Sequence, residues 1–335
     1  VVSFSDRAEV IVPASVSPDK KKQEGRIQMM QASGATEIFN GLEAGMREVR
    51  RTLDPSRVNH IILLTDGKTY GDEQACLKLA EEAAAQNIGI TGMGIGHEWN
   101  DIFLDALASK TGGSSAYISK PKDIEHLLVE KFKALINIYA DDVLLEFKEQ
   151  EHVKINYAFR LQPEGGAIEV KDGSMHLGPI LRESSLQVLF EFLIDPEALS
   201  SDVMTMLSGA MKISITARPL PVPPIRLHFT REVRPNPSSE PPPTRILSAL
   251  SRLTLYRMQE RARMAADSGQ YDAAARHLHN LATHLLSQGE HSLAKTALFE
   301  ADNLERMHAF SASGNKDIKY QTRALLLSGA KEKAR

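Results

Sequence analysis

Cysteine is almost absent from this sequence, with Cys76 as the single example in 335 residues. One thiol forms no intrachain disulfide, which suits a reducing compartment, and we therefore expect a cytoplasmic location. No pattern of cationic neighbours surrounds Cys76 in its predicted helix, so we interpret it as a buried and unreactive thiol.

Neither an excess of one charge nor a long apolar run is present. The net charge is −3 and the sequence pI is about 6.5, so no general basic field is available to hold nucleic acid or an acidic membrane. The short basic run Lys20–Lys22 is interpreted as a solvent-exposed turn. No apolar stretch reaches the roughly 18 residues that a membrane-spanning helix needs. We therefore predict no nucleic-acid partner and no membrane segment.

What is present is an ordinary globular composition, 42% hydrophobic and 25% charged, at a length that predicts two or three domains. Residues 1–140 alternate short apolar runs with amphipathic segments, which is typical of a doubly wound, mostly parallel sheet. Thr36 is predicted to cap the first of the helices. The predicted strands are 1–5, 8–14, 60–64, 87–96 and 114–119, and the predicted helices are 37–53, 72–86, 100–111 and 122–140.

The pattern changes twice after residue 140. Residues 141–233 consist of β-rich runs separated by turn residues, which predicts an all-β sandwich. Residues 234–243 contain five prolines and are predicted to form a stiff, extended linker. Residues 244–335 are predicted to be helical from a cap at Thr244 onward. One segment resembles a tetratricopeptide unit, but no second copy follows at the expected period, so we favour a plain helical bundle.

The stretch NHIILLTDGKTYGDE, residues 59–73, points to a functional site. A buried strand ends abruptly at Asp66, and Gly67 lets the backbone turn sharply after it. In open α/β sheets, ligands bind beyond the carboxyl ends of the strands. Taken alone, Asp66 could bind an ion or a phosphate, act as the nucleophile of a phosphoaspartate reaction, or simply form part of a turn. Thr36 lies in another loop that leads into a helix, and a hydroxyl together with a carboxylate suits a hard cation such as Mg²⁺, Ca²⁺ or Mn²⁺.

Several segments in the first 140 residues resemble the von Willebrand factor A domains in matching order. They are VVSFSD, GATEIFNGL, IILLTDGKTYGD, ITGMGIGHEWN and LDALASKTGGSSAYI. The resemblance implies a divalent cation held at a metal-ion-dependent adhesion site, to which three loops contribute: an Asp-x-Ser-x-Ser loop, a threonine and an aspartate. Carried over to this sequence, Thr36 is the threonine and Asp66 is the aspartate of that site.

The Asp-x-Ser-x-Ser loop of the family has no counterpart here. The resemblance places it upstream of VVSFSD, so we expect the first strand, that loop and the first helix to precede Val1. Without them a gap is expected in the middle of the sheet, where unpaired backbone groups are costly. We therefore expect these 335 residues alone to bind Mg²⁺, or Mn²⁺ or Ca²⁺, weakly or not at all. The resemblance also implies a partner protein that supplies an acidic ligand to the ion.

Other motifs are interpreted as structural. Asp172–Met175 has the beginning of an Asp-x-Ser-x-Ser pattern, but Asp-Gly between short β runs is a hairpin signal. Gly92–Gly96 lacks the spacing of a phosphate-binding loop and is interpreted as a turn at the end of a strand. Three histidines of one predicted helix are interpreted as solvated or packed side chains rather than zinc ligands: His277, His279 and His284.

The function predicted from these features is non-enzymatic. No nucleophile–base pair is visible, so we predict a protein–protein interaction module of bacterial type, followed by a β-sandwich and a helical bundle. The alternative is a subunit that works beside an AAA+ ATPase in metal insertion or complex assembly, although the chain has no Walker A loop of its own. A phosphoaspartate enzyme with Asp66 as nucleophile is disfavoured, because the D-x-D-x-T context is absent.

Overall fold

The computed structural model describes most of the chain, namely residues 1–15, 19–31, 34–171, 173–196, 202–215, 218, 220–234 and 241–331. The chain forms two compact units. The first consists of Val1–Pro163 with Ala167–Val233, and the second of Glu164–Gly166 with Arg234–Arg335. The domain boundaries predicted from the sequence, at residues 140, 233 and 243, stay predictions.

The first 140 residues of unit one form an α/β layer built on two separate small sheets. Strands β1 (Val2–Phe4) and β2 (Ala8–Val10) pair as an antiparallel hairpin. Strands β3 (Asn59–Thr65), β4 (Ile88–Ile95) and β5 (Ser115–Ile118) form a parallel sheet in the order β3-β4-β5. The helices that accompany them are α1 (Lys20–Gln28), α2 (Ile38–Arg51), α3 (Glu73–Ala85), α4 (Asp101–Ser109) and α5 (Ile124–Ile136).

The parallel sheet forms where the sequence has continuous apolar runs, the pattern of strands covered on both faces, although β3 is mostly half-buried. Most residues of β4 are buried, and α2 places Ile38, Leu42 and Met46 against the layer at helical spacing. The prediction of an α/β fold with a parallel sheet is confirmed. Among the described residues, β1 and β3 do not pair with each other, so the hairpin and the parallel sheet remain apart.

Three local predictions in this layer were wrong. Lys20–Lys22 is the first turn of α1 rather than an irregular turn, because Asp19 accepts a hydrogen bond from the Lys22 amide and caps the helix. The helix predicted to extend to residue 140 ends at Ile136, and Ile138–Ala140 is strand β6. Thr36 does not cap α2: the cap position is Glu37, which makes no side-chain capping bond.

The rest of unit one is a β-sandwich, as predicted. One sheet has the order β10-β7-β13-β14 and the other β12-β8-β9, while β6 and β11 form a small separate pair. Val143, Leu145 and Leu207 from the first sheet and Ala158 from the second share one hydrophobic core. The strands are β7 (Asp142–Lys148), β8 (Val153–Gln162), β9 (Gly166–Ala167), β10 (Ser174–His176), β11 (Ile180–Leu181), β12 (Gln187–Ile194), β13 (Val203–Ser214) and β14 (Ile225–Glu232).

Unit two is built from α6 (Thr244–Asp267), α7 (Tyr271–Ser287), α8 (His291–Met307) and α9 (Gly314–Lys331). Their apolar faces meet in one core that includes Leu278, Leu281 and Leu304. The prediction of a C-terminal helical bundle is confirmed. Thr244 is the first helical residue rather than the cap, which is Pro243. Of the predicted linker, residues 235–240 lie outside the described part of the chain.

No helix in the described ranges combines the length and the apolar character needed to cross a bilayer.

Candidate metal-binding rim

Thr36 and the loop that begins at Asp66 meet at the carboxyl end of β3. The Thr36 hydroxyl lies so close to Gly67 that a methyl group placed on that glycine would be 2.5 Å from the hydroxyl oxygen. Because Asp66 directly precedes Gly67, the two predicted donors belong to the same rim of the sheet. Thr65 shapes the turn: its hydroxyl accepts a hydrogen bond from the Gly67 amide at 3.3 Å.

The loop after β3 is fixed to the start of α2 by a clamp of two side chains, Thr69 and Asp72. The Thr69 hydroxyl accepts a hydrogen bond from the Ile38 amide at 3.0 Å, and the Asp72 carboxylate accepts one from the Phe39 amide at 2.8 Å. Thr69 also donates to the other oxygen of Asp72. Two of the amide groups that a helix start leaves without intrahelical partners are thereby satisfied from another loop. The clamp holds the Thr36 segment over Gly67.

A further carboxylate lies near the same loop. Asp6 follows β1, and its Oδ1 atom would be 2.9 Å from a methyl group placed on Gly34. The neighbouring Ser5 hydroxyl donates to Asp6 at 2.9 Å and is the main cause that lowers the pKa of this exposed carboxyl. The Ser5 carbonyl also accepts a hydrogen bond from the Glu37 amide at 2.8 Å. The hairpin is therefore attached to the loop that contains Thr36.

Sequence reasoning missed the clamp residues and Asp6, although a signal for the clamp was present. Thr69 and Asp72 are three residues apart immediately before a helix, a spacing that favours mutual hydrogen bonding. Nothing in the sequence indicated that their partner would be the start of α2 rather than α3. Asp66 itself is exposed at the rim, while Thr36 is partly buried.

The two donors fit a hard divalent cation in chemical type, since one is a hydroxyl and the other a carboxylate. They provide only part of a shell, because Mg²⁺ takes six oxygen ligands in an octahedron. Within the described ranges, no group of three or more histidine, cysteine, aspartate or glutamate side chains is arranged to hold a metal ion. The rim therefore matches a fraction of the ligand set that the family resemblance implies.

The other motifs singled out in the sequence occupy positions that suit a structural role. Cys76 is fully buried in α3, and burial raises the pKa of its thiol to about 12. Gly92–Ile95 belongs to β4, and the chain turns only at Gly96, whose φ is +67°. The bridge between Lys171 and Ser174 spans the predicted hairpin turn, of which Asp172 lies outside the described residues.

The three histidines of α7 do not converge. His277 is partly buried, whereas His279 and His284 are exposed. His279 lies 3.3 Å from the Glu305 carboxylate of α8, which is an ordinary surface contact. These positions agree with the interpretation of solvated or packed side chains.

A parallel three-stranded sheet with flanking helices, and a rim where a threonine loop meets a strand-end aspartate, agree with the von Willebrand factor type A class. Residues 1–130 match the family model of the von Willebrand factor type A domain. This part of the chain is therefore a von Willebrand factor type A domain, abbreviated VWA. Residues 244–328 match the model of the Sll0103-like, C-terminal alpha-helical domain.

The chain is also similar to two curated bacterial proteins. The chain is 28% identical over 203 residues to the Synechocystis protein sll0103, covering 58% of this chain and 48% of the relative. It is 20% identical over 212 residues to Escherichia coli YfbK, covering 60% of this chain and 36% of the relative. The chain thus spans about half the length, or less, of these curated relatives.

A solved structure, the von Willebrand factor type A protein from Catenulispora acidiphila, resembles the whole chain. Its TM-score is 0.69 at 14% identity, and the match covers 96% of this chain and 79% of that protein. At this identity the likeness shows the fold: a VWA layer, a strand-rich region and C-terminal helices.

Proposed function

We propose that this protein is a non-enzymatic binding module that engages an acidic group of a partner protein through a divalent cation at the VWA rim. VWA domains in general are interaction modules, many of them of the metal-ion-dependent adhesion type. The observation that supports the proposal most directly is the position of the Thr36 hydroxyl against Gly67, beside Asp66.

Each residue has a distinct part in this proposal. Thr36 binds the ion directly or through water, and Asp66 binds it mainly through water. The Thr69–Asp72 clamp orients the Thr36 segment and adds no ligand. When bound, Mg²⁺, Mn²⁺ or Ca²⁺ supplies an open position for the partner's carboxylate. The Asp-x-Ser-x-Ser ligands that the family resemblance adds have no counterpart among these 335 residues.

The test is metal binding by titration calorimetry on the full gene product with Mn²⁺, because Mn²⁺ accepts the same oxygen donors. We expect binding that Asp66→Ala and Thr36→Val each weaken at least about tenfold, a loss of roughly 1.4 kcal/mol. The matched control is Asp54→Ala, which removes a half-buried aspartate from the loop before β3. Absence of divalent binding in the full protein, or equal binding by Asp66→Ala, would contradict the proposal.

The alternative of a subunit beside an AAA+ ATPase stays a prediction. It needs a separate ATPase, so an adjacent gene for one, together with ATP-dependent co-purification, would favour it over simple adhesion. The relatives from Synechocystis and Escherichia coli suggest a bacterial protein. In a bacterial genome, the genes next to this one can be read directly for an ATPase.

A further inference from the structure

Strand β14 is an edge strand with little of its surface covered. It pairs with β13 on one side, and within the described residues no strand pairs with its other side. Seven of its eight residues are exposed, with Leu227 as the exception. An edge of this kind presents a row of backbone N–H and C=O groups that a further strand can pair with.

The two faces of β14 differ in character, because side chains alternate along a strand. Ile225, Leu227 and Phe229 lie on one face, where Leu227 packs against the sandwich core. Ile225 is 44% exposed and Phe229 49%, so the apolar face continues past the core to the open edge. Arg226 and His228 lie on the other face.

The strand is also locally basic, in contrast to the net charge of −3 of the whole chain. Arg226 and Arg231 are both exposed, and no ion pair joins either to a described residue. The Arg231 guanidinium lies 5.7 Å from the centre of the Phe229 ring, which holds this cation beside the apolar face. Glu232 is the one acidic residue within β14.

We propose that β14 is a docking edge for an extended, acidic segment of another protein, which adds to the four-stranded sheet as a further strand. Main-chain hydrogen bonds along the edge provide the binding, and side chains provide the selectivity. Opposite Arg226 and His228 the partner strand carries carboxylates, and opposite Ile225 and Phe229 it carries apolar residues. An extended peptide fits this edge better than nucleic acid, because the open groups are backbone donors and acceptors in strand geometry.

Two alternative roles of this edge predict different outcomes. Charged residues on an edge strand also hinder association between copies of the same chain. Alternatively, a second copy covers the edge, although this would bring two strands of net positive charge together. Neither role depends on an acidic partner, and neither involves the metal-binding rim.

The experiment uses the 335-residue chain with a labelled ten-residue peptide of alternating valine and glutamate, in the presence of EDTA. We expect saturable binding by fluorescence anisotropy and slower hydrogen exchange at the amides of β14. A peptide of alternating valine and lysine should not bind.

The Arg226→Glu variant should bind the glutamate peptide roughly tenfold more weakly or worse. Lys148→Glu, a charge reversal on interior strand β7 of the same sheet, should bind as the wild type does.

Four results would overturn the proposal. They are no change in exchange at β14, equal binding of the lysine peptide, protection of β14 that grows with protein concentration in the absence of peptide, and protection by a single-stranded oligonucleotide but not by the peptide. Because EDTA is present throughout, failure here leaves the proposed function of the rim unaffected, and failure of the rim leaves this result standing.

Discussion

At the scale of single residues, Gly94 is one of the positions with the least room for a larger side chain. It lies in β4 under the only tryptophan of the chain, and a methyl group placed on it would lie closer than 3.0 Å to the ring of Trp99. The ring is fully buried, and its indole N–H donates to the Gly96 carbonyl at 2.8 Å. The tryptophan therefore has no free space to move into.

Gly94→Ala should accordingly destabilise unit one by about 1–3 kcal/mol, the usual cost of overpacking. Urea unfolding followed by Trp99 fluorescence measures it directly, since one fluorophore reports on the site. Gly25→Ala is the matched control, because a methyl group there meets nothing within 4 Å and helix α1 gains propensity. Equal stability of the two variants would show that this packing of Trp99 on Gly94 is wrong.

His176 is the residue whose contribution should depend on pH. Its imidazole lies 2.5 Å from the Asp142 carboxylate, and this hydrogen bond raises the pKa of His176 in the folded state. The protonated form is therefore the one that folding favours. The added stability is present in full below the unfolded pKa of about 6.5 and is lost as the pH rises through the raised folded value.

His176→Asn should thus destabilise the protein more at pH 5.5 than at pH 9. His60 and Asp141 line the same small cleft and are unchanged in the variant, so the difference between variant and wild type reports on His176. His126→Asn serves as control, because His126 is exposed and lies 3.6 Å from the similarly exposed Glu130. The measurement is the urea midpoint of variant and wild type at the two pH values. A stability loss in His176→Asn that is equal at pH 5.5 and pH 9 would contradict the prediction.

At the scale of elements, sequence patterns predicted the parallel sheet and most of the helices. They failed where an element's secondary structure depends on a partner that is distant in the sequence. The apolar runs of β3 and β4 predicted the parallel sheet, and β4 is largely buried while β3 is mostly half-buried. Helical periodicity after residue 122 concealed strand β6, which pairs with β11 some 40 residues later in the chain. Local patterns carry no information about such a distant partner.

The candidate site shows the same division. The resemblance selected Thr36 and Asp66, and the structure brings their loops together, while their role as ligands stays a prediction. The cap of α2 was assigned to Thr36, because a threonine before a helix usually caps it. Instead, Thr69 and Asp72 reach the helix from a loop more than 30 residues away. A single sequence does not indicate which helix a loop side chain will cap.

The clamp makes α2 sensitive to a change outside it. Asp72→Ala removes the acceptor for the Phe39 amide and should cost about 1 kcal/mol, as a lost helix cap does. Hydrogen exchange should become faster at Ile38 and Phe39 in particular. Asp19→Ala is the control, because Asp19 caps the exposed helix α1 through a longer bond of 3.2 Å and should leave α2 unchanged. Unchanged exchange at Phe39 in Asp72→Ala would rule out the clamp.

At the scale of the whole molecule, unit one joins the VWA layer to the β-sandwich through a buried arginine. Arg160 of β8 is 4% exposed, and its guanidinium donates to the carbonyls of Gly112 and Gly113 at 2.7 Å each and of Leu177 at 3.1 Å. The two glycines lie in the turn after α4, so a sandwich strand supplies hydrogen-bond donors to backbone carbonyls of the VWA part. These hydrogen bonds are one of the links between two parts that belong to the same compact unit and differ in sequence pattern.

If Arg160 couples the two parts, Arg160→Met should lower the stability of unit one by about 3 kcal/mol, because methionine leaves buried carbonyls without donors. Arg160→Lys should not restore it, since one ammonium lacks the planar fork that reaches carbonyls on both sides. The more specific expectation is a loss of cooperativity: Trp99 fluorescence and the sandwich amides should unfold together in the wild type and at separate urea concentrations in Arg160→Met. Coincident transitions in the variant would mean that other contacts, among them the ion pairs of Lys110 with Glu169 and of Lys171 with Glu81, are enough to couple the layer to the sandwich.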